Sequence, residues 1–393
     1  MLHYHYLNRT EVLLALSFEQ EHRDSGKPWT WEGRDAEAWI RVPEVEESLI
    51  AKAHALEGRY ANLKDSMAKV FPTCYSRYAL CSELIASWWI EGEHLNITDL
   101  FEAVGNEDLQ SVIDKRDEIV SRNSLNRAEA VVYATKRFLN VSEDERSITV
   151  KDVLSLHRYL GNDDNDKEEK YFHWGKLRQR EVYVGNRQRV IYVAPNHELV
   201  PNMMEKLCKL YESNTFHALP ALVGATLIHT LFVNVHPFMD GNGRTARLLA
   251  NRYARTHGID LLGFSAMIAK NLNSYYQALR PTNYRPEDFG AIIDMFLSSF
   301  DMFLNLKEQQ IKDFSEVEQT ICESSFTEDE KTILRAVAYN GKKRMDTIEY
   351  YFAGDYLPSE RKKAALDQLM ERRLLSNAKS KLNVAIDKII SER

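Results

Sequence analysis

Apolar residues recur at helical spacing along most of the chain. In Ala51 to Val70, Tyr78 to Ile90 and Arg127 to Leu139 the period is roughly 3.6 residues, which predicts amphipathic helices with one face on a core. Leu222 to Val233 is apolar on nearly every side, so a buried central helix is expected there. Gly241 to Tyr253 predicts another helix, entered through a tight turn, and Ala291 to Leu304 a further long apolar one. Only 16 Gly and 10 Pro punctuate the 393 residues, so the expected fold is mainly α.

One segment departs from that period. Arg180 to Val193, REVYVGNRQRVIYV, places two β-branched and aromatic runs on either side of Gly185-Asn186, which predicts a β-hairpin turning at that pair. A lone two-stranded hairpin is marginal by itself, so its presence in a helical chain needs a reason. Asn162 to Lys170 reads as a charged, exposed loop. Beyond a boundary expected near Phe314, Thr327 to Tyr339 and Ser359 to Leu374 predict helices and Leu382 to Ile386 a short strand, an order that suits a winged-helix-like module. The organisation read from the chain is therefore a helical region over 1–125, a core over 126–313 and a C-terminal module over 314–393.

Composition narrows the classes of function. The chain is 44% hydrophobic and 28% charged with a net charge of −7, which argues against chain-wide affinity for nucleic acid or an anionic membrane. Met1 to Thr10 has no apolar core of a secretory signal, and no run approaches the roughly 18 apolar residues of a membrane span. Cys74, Cys81, Cys208 and Cys322 form no CxxC pair, so a zinc site or disulfide framework is not expected, and the expected location is the cytoplasm.

The chemistry concentrates in His236-Pro237-Phe238-Met239-Asp240-Gly241-Asn242-Gly243-Arg244-Thr245-Ala246-Arg247. Gly-Asn-Gly at a helix start lets backbone N–H groups converge on an anion, and glycine admits a close approach. Arg244 and Arg247, three apart, offer two guanidinium groups from one helical face. Asp240 supplies one hard carboxylate, and one carboxylate plus substrate phosphates is the usual way of holding Mg²⁺. His236, just before the turn, stands where it can take a proton from a nucleophile. Singly, such a histidine is usually a loop or core residue and two such arginines a solvated face. Their conjunction within twelve residues favours a phosphate site.

This stretch resembles the motif of the Fic family, HxFx(D/E)GNGRxxR, at every defined position, and the resemblance extends from about Ser82 to Leu304. It implies a Fic-type helical bundle whose activity is AMP transfer from ATP to a Ser, Thr or Tyr hydroxyl of a protein. His236 would be the general base and Asp240 the Mg²⁺ (or Mn²⁺) ligand. Gly241, Asn242 and Gly243 would form the anion nest, and Arg244 and Arg247 would grip the β- and γ-phosphates, with Thr245 also at the nucleotide. Gly175-Lys176-Leu177-Arg178 and the following Val182-Tyr183-Val184-Gly185 resemble the flap of the family, so Val184 and Gly185 are expected to position the target by strand addition. Tyr275, beside Tyr276, and Asn283 resemble residues that line the adenosine pocket. Gly243 stands where the related phosphorylating toxins carry lysine, which favours AMP transfer.

Ser87-Trp88-Trp89-Ile90-Glu91-Gly92 resembles the family's inhibitory pattern, (S/T)xxxE(G/N), placed before the catalytic motif as in the subgroup with an N-terminal inhibitory helix. Ser87 and Glu91, four apart, share a helical face, and Glu91 there can pair with Arg247 and withdraw it from the γ-phosphate. The expected partners are ATP and an unidentified protein target, the chain itself among the candidates. A homodimer, removal of AMP and transfer of another nucleotide monophosphate stay open. A DNA-binding regulator with a nucleotide-sensing core is the alternative reading, through Arg361-Lys362-Lys363, Lys379 and Lys381. It is not favoured, because acids are interspersed with these bases.

Overall fold

The computed structural model of the chain describes residues 40–70, 73–114, 121, 124–142, 145–161, 174–186, 189–283, 288–322, 325–331, 333–334, 343–344, 359–372, 375–378 and 381–384. The chain is mainly helical. In order come α1 (Glu47–Val70), α2 (Thr73–Ile90), α3 (Ile97–Gly105), α4 (Glu107–Asp114), α5 (Arg127–Leu139) and α6 (Val150–Leu160). The hairpin β1 (Tyr183–Asn186) and β2 (Arg189–Val193) follows, then α7 (Val200–Glu212), α8 (Asn214–His217), α9 (Ala221–Val235), α10 (Asn242–Arg255), α11 (Ser265–Lys270), α12 (Leu272–Leu279) and a 3₁₀ turn over Arg280–Asn283. Last are α13 (Gly290–Cys322), β3 (Lys343–Arg344), α14 (Ser359–Glu371), β4 (Leu375–Ala378) and β5 (Lys381–Val384). No described helix is long and apolar enough to cross a membrane.

The apolar run around Leu222 forms α9, the axis of the core. Every residue of α9 except Val233 is buried. It packs against α10, α7, α13 and α1. Contact with α10 needs Gly224, because a Cβ there would lie 2.3 Å from the Tyr253 ring. Thr226 and Thr230 enter this apolar setting by donating to the carbonyls four residues back, Leu222 O and Thr226 O, each at 2.8 Å. The helices flanking the site are capped locally. Asn126 and Glu129 make reciprocal bonds at the start of α5, and Thr149 and Asp152 do so at the start of α6.

Helix α1 runs along α13 and is stitched to it at the surface. Arg59 reaches Glu308, Asp301 and Asn305 of α13, and Lys52 reaches Asp294 at 2.7 Å. Helix α2 is anchored by Glu83, whose buried carboxylate accepts from Gly263 N at 3.1 Å, from Ser265 N at 2.9 Å and from the Ser265 hydroxyl. Glu83, Ser87 and Glu91 are spaced four apart, so the residue that anchors α2 shares a face with those turned toward α10.

The expected hairpin is present, but its turn is not at Gly185-Asn186. Both residues belong to β1, pairing with Val190 and Arg189, and the connection falls at 187–188, outside the described residues. The register shifts between Val184 and Gly185, where Ile191 is the extra residue of a bulge. The glycine there serves an irregular strand rather than a turn. The apolar helix expected over Ala291 to Leu304 is longer than its apolar stretch. It runs to Cys322, through the expected boundary at Phe314, because polar residues continue it after the core contact ends.

At the C-terminal end, α14 stops at Glu371. The strand expected over Leu382 to Ile386 is found over Lys381–Val384, antiparallel to β4, and β3 pairs with its other edge. The charged loop expected over 162–170 and the position Lys379 lie outside the described residues. Of the helix expected over Thr327 to Tyr339, residues 328–331 and 333–334 are helical and 335–339 lie outside.

Candidate active site

The site forms where α9 ends and α10 begins. His236 caps α9 with φ 48° and ψ 59°, the one non-glycine residue in the left-handed region among the described residues. For a residue with a Cβ this costs about 1 kcal/mol or more, so neighbours must hold it. His236 N donates to Phe232 O at 3.0 Å, and His236 O accepts from Arg178 Nε at 2.8 Å. His236 Nδ1 lies 3.2 Å from Val233 O. A carbonyl accepts only, so Nδ1 carries the proton and the lone pair is on Nε2. Burial pushes the imidazole down to about 4, with the Arg178 charge adding to the fall.

The loop to α10 is braced from inside. The Asn242 side chain accepts from Phe238 N and donates to Phe238 O, both at 2.9 Å. Phe238 is fully buried and stacks on His157 at 3.5 Å. Gly175 N donates to His157 Nδ1 at 2.9 Å, so His157 Nε2–H donates to Asp240 O, also 2.9 Å away. Burial pushes His157 down to about 3, which keeps this ring neutral and in one tautomer. Gly241, at φ 75°, caps α10, and a Cβ there would meet Trp174 at 3.0 Å.

Glu91 lies directly over the start of α10. Its Oε1 is 2.8 Å from Arg247 Nη2, and a Cβ on Gly243 would lie 2.2 Å from the same oxygen. Arg247 also donates to Ser87 Oγ at 2.8 Å and to Ser87 O at 2.7 Å. Its Nη1 is buried without a hydrogen-bond partner among the described residues. The carboxylate therefore sits where a helix N-terminus, glycine and arginine would receive an anion.

Arg244 is placed differently from Arg247. It is 1% exposed, lies 5.1 Å from the Trp88 ring and 5.6 Å from the Trp174 ring, and pairs with Asp240 at 3.1 Å and Glu93 at 3.2 Å. The structure thus does not present both arginines on one open face: α10 is buried on nearly all sides, and Arg244 points under the loop. Thr245 is fully buried and donates to Gly241 O at 2.9 Å, so it braces the first turn. Tyr275 is buried with its hydroxyl 3.1 Å from His229 Nε2, whereas Tyr276 is half-buried and donates to Ile90 O at 3.3 Å, beside Glu91. Asn283 ends the 3₁₀ turn after α12, and Val184 lies half-buried in β1 at the bulge.

Three supporting residues were given no site role by the sequence: Glu93 and His157, which lie outside every motif, and Arg178, which belongs to the flap-like stretch. Glu93 reaches Arg244 because Gly92, at φ 82°, turns the chain at the end of α2, where Glu93 N donates to Trp88 O and Gly92 N to Trp89 O. Glu93 also accepts from Arg127 Nη2 at 2.7 Å.

A metal fits this loop only in part by protein ligands. The Asp240 carboxylate is 20% exposed, with Oδ1 accepting from Gly241 N and Oδ2 from Arg244. Among the described residues no group of three or more His, Cys, Asp or Glu side chains gathers to hold an ion. One hard carboxylate beside a phosphate-binding turn fits Mg²⁺ that takes its other ligands from phosphates and water.

Residues 147–254 match the model of the Fic/DOC family. The chain carries a Fic domain. The matched residues hold His157, Arg178, the hairpin and the whole 236–247 loop and helix, while Ser87, Glu91 and Glu93 lie before them. Protein adenylyltransferase fic-1 of Caenorhabditis briggsae is 29% identical over 217 residues, which is 53% of this chain and 38% of that protein. Protein adenylyltransferase Fic of Drosophila yakuba is 33% identical over 150 residues, covering 37% of this chain and 27% of that protein. The chain thus spans less than two fifths of the length of these relatives. A crystal structure of a Fic family protein from Desulfovibrio desulfuricans G20 covers 91% of this chain and 98% of its own, with a TM-score of 0.49 and 19% identity.

Proposed function

We propose that the chain is a protein adenylyltransferase, moving AMP from ATP to a Ser, Thr or Tyr hydroxyl of a protein, and that Glu91 restrains it. The observation that carries this reading is the Glu91 carboxylate on Arg247 above Gly243, an anion already seated at the helix N-terminus beside a neutral histidine.

In this reading His236 Nε2 takes the proton of the target hydroxyl, whose oxygen forms the new bond to the α-phosphorus. The bond from that phosphorus to the bridging oxygen breaks, and pyrophosphate leaves. The chain contributes position and charge more than covalent chemistry. Backbone N–H groups of Asn242 and Gly243, together with Arg247, face the phosphates, while Gly241 N is held by Asp240 Oδ1. Arg244 acts from beneath, holding Asp240. Asp240 would hold Mg²⁺ or Mn²⁺, which when bound neutralises phosphate charge. The β1–β2 hairpin presents the target segment by strand pairing. While Glu91 stays on Arg247, two anions compete for one cation and one nest, so ATP is denied the in-line pose. Removal of this carboxylate activates the enzyme.

The labelled position of ATP tests the reaction class. The Glu91→Gly variant is incubated with ATP carrying the label on the α- or the γ-phosphorus. AMP transfer labels protein from the α position alone. Label arriving from the γ position would instead mean phosphoryl transfer.

A further inference from the structure

The hairpin and the proposed base are tied together by one side chain. Arg178 precedes β1 and is 3% exposed. Its Nε donates to His236 O at 2.8 Å, its Nη1 to Arg180 O at 2.9 Å, and its Nη2 to Pro195 O. Its own backbone N–H donates to Pro237 O at 2.9 Å. Arg180 and Pro195 lie just outside the two roots of the hairpin. One guanidinium therefore holds both roots and the carbonyl of the residue in the left-handed conformation. A second tie comes from β2, where the Tyr192 hydroxyl donates to Asn234 O, two residues before His236.

This explains how a two-stranded sheet stands alone in a helical chain. Such a hairpin is marginal without outside support, and here the support comes from the turn that carries His236. We propose that Arg178 is a positioning residue for the transfer reaction. It joins the hairpin that presents the target and the backbone that carries the base into one rigid piece. The distance from the target hydroxyl to His236 Nε2 is then set before the target arrives. The inference rests on the reading of His236 as the base.

The charge of Arg178 has its own consequence. The charged and titratable groups that act on the His236 ring are Arg178, Asp240 and Tyr192, whose ring lies 6.5 Å away. Arg178 opposes a charge on the ring and Asp240 favours it. Arg178 itself, pushed down to about 10 by burial, stays charged at neutral pH.

Arg178→Gln and Arg178→Lys in the Glu91→Gly background separate positioning from mere folding. ATP affinity and melting temperature are measured first, then self-labelling rate, the titration of the His236 ring by NMR, and hydrogen exchange of the hairpin amides. The expected result is unchanged ATP affinity with labelling down on the order of 100-fold for Arg178→Gln, the effect of a misplacement of about 1 Å. Arg178→Lys, which keeps the charge and one donor, recovers part of the rate. His236 titrates higher in Arg178→Gln than in the parent, and hairpin amides exchange faster. If Arg178→Gln fails to melt cooperatively, Arg178→Lys alone must show the rate loss with intact ATP affinity. Parallel loss of ATP affinity and rate, or a rate, titration and exchange equal to the parent's, would overturn the proposal. A Glu91→Gly parent that never labels would sink the reading of the base. The titration and the exchange would still decide whether Arg178 joins hairpin and histidine.

Discussion

Glu91→Gly removes the counter-charge of a cation that is nearly out of water. Side-chain exposure is 3% for Arg247 and 12% for Glu91. Breaking a buried pair from one side costs about 3–5 kcal/mol, since the remaining charge is uncompensated. Arg247 keeps its two bonds to Ser87, so the lower end, about 3 kcal/mol, applies. Glu91 lies past the last residue of α2, so the glycine adds little helix penalty. At an unfolding entropy of about 2.1 cal/mol/K per residue, a chain of 393 residues shifts by about 1.2 °C per kcal/mol, so the variant should melt roughly 4 °C below the parent. Mg-ATP at about 100 times its Kd contributes about 2.7 kcal/mol. The variant with ligand should therefore melt close to the unliganded parent. The parent, whose carboxylate competes with the phosphates, should gain less from the same ligand. Scanning fluorimetry of both proteins, with and without Mg-ATP, reads all four values. Equal melting of the two proteins without ligand, or equal ligand shifts, would refute the reasoning.

Four further outcomes follow from the geometry. Gly243→Ala puts a methyl group 2.2 Å from Glu91 Oε1 and 3.0 Å from Arg247 Nη1, so it should expel Glu91 without producing an active enzyme, because the same methyl obstructs a phosphate; ATP affinity and labelling measured together check this, and activity matching Glu91→Gly would contradict it. Asp240→Ala should lose metal-dependent labelling and the effect of Mg²⁺ on ATP affinity, and full labelling in excess EDTA would remove the role given to this carboxylate. His236 ionises near 4, so the transfer rate should not halve near pH 6.5; an acid limb at 6.5 would contradict the buried, neutral ring. Stability, unlike the rate, should already fall with pH near 6.5. His157, His229 and His236 have folded pKa values below their unfolded ones, so as pH falls below about 6.5 the unfolded chain gains protons that the folded chain refuses. Each should remove about 1.4 kcal/mol per pH unit until its folded pKa is reached. Urea midpoints between pH 7 and 5 measure the fall.

Helix positions were legible wherever the apolar period was long. The span Arg127 to Leu139 needs no adjustment, because Asn126 caps it locally and an apolar face defines it. The core helix around Leu222 differs only at its ends. Glu91 and Arg247 were legible as partners because both sit in short, spaced patterns, and the structure brings them to 2.8 Å. The hairpin turn was misread because Gly185-Asn186 has turn chemistry, while the pairing register is fixed by the anchors at the two roots. Burial of Arg244 could not be read from a period of three. It depends on Trp88, Trp174 and Glu93, which the sequence places far from it. His157 and Glu93 carried no local signal, and Arg178 only its place in the flap-like stretch, for the same reason: each acts on a backbone or side chain met only after folding. The presence of Gly92 between Glu91 and Glu93 was the one available hint, since a left-handed glycine there aims the next side chain back at the helix end.

One comparison decides whether the chain transfers AMP through His236 once Glu91 is removed. Glu91→Gly and the double variant Glu91→Gly with His236→Ala are given α-labelled ATP and Mg²⁺, with ATP affinity determined for both. The account predicts equal affinity, with AMP on protein in the single variant and none in the double. Equal labelling of the two would show that His236 is not the base, and labelling of neither would show that the chain does not transfer AMP.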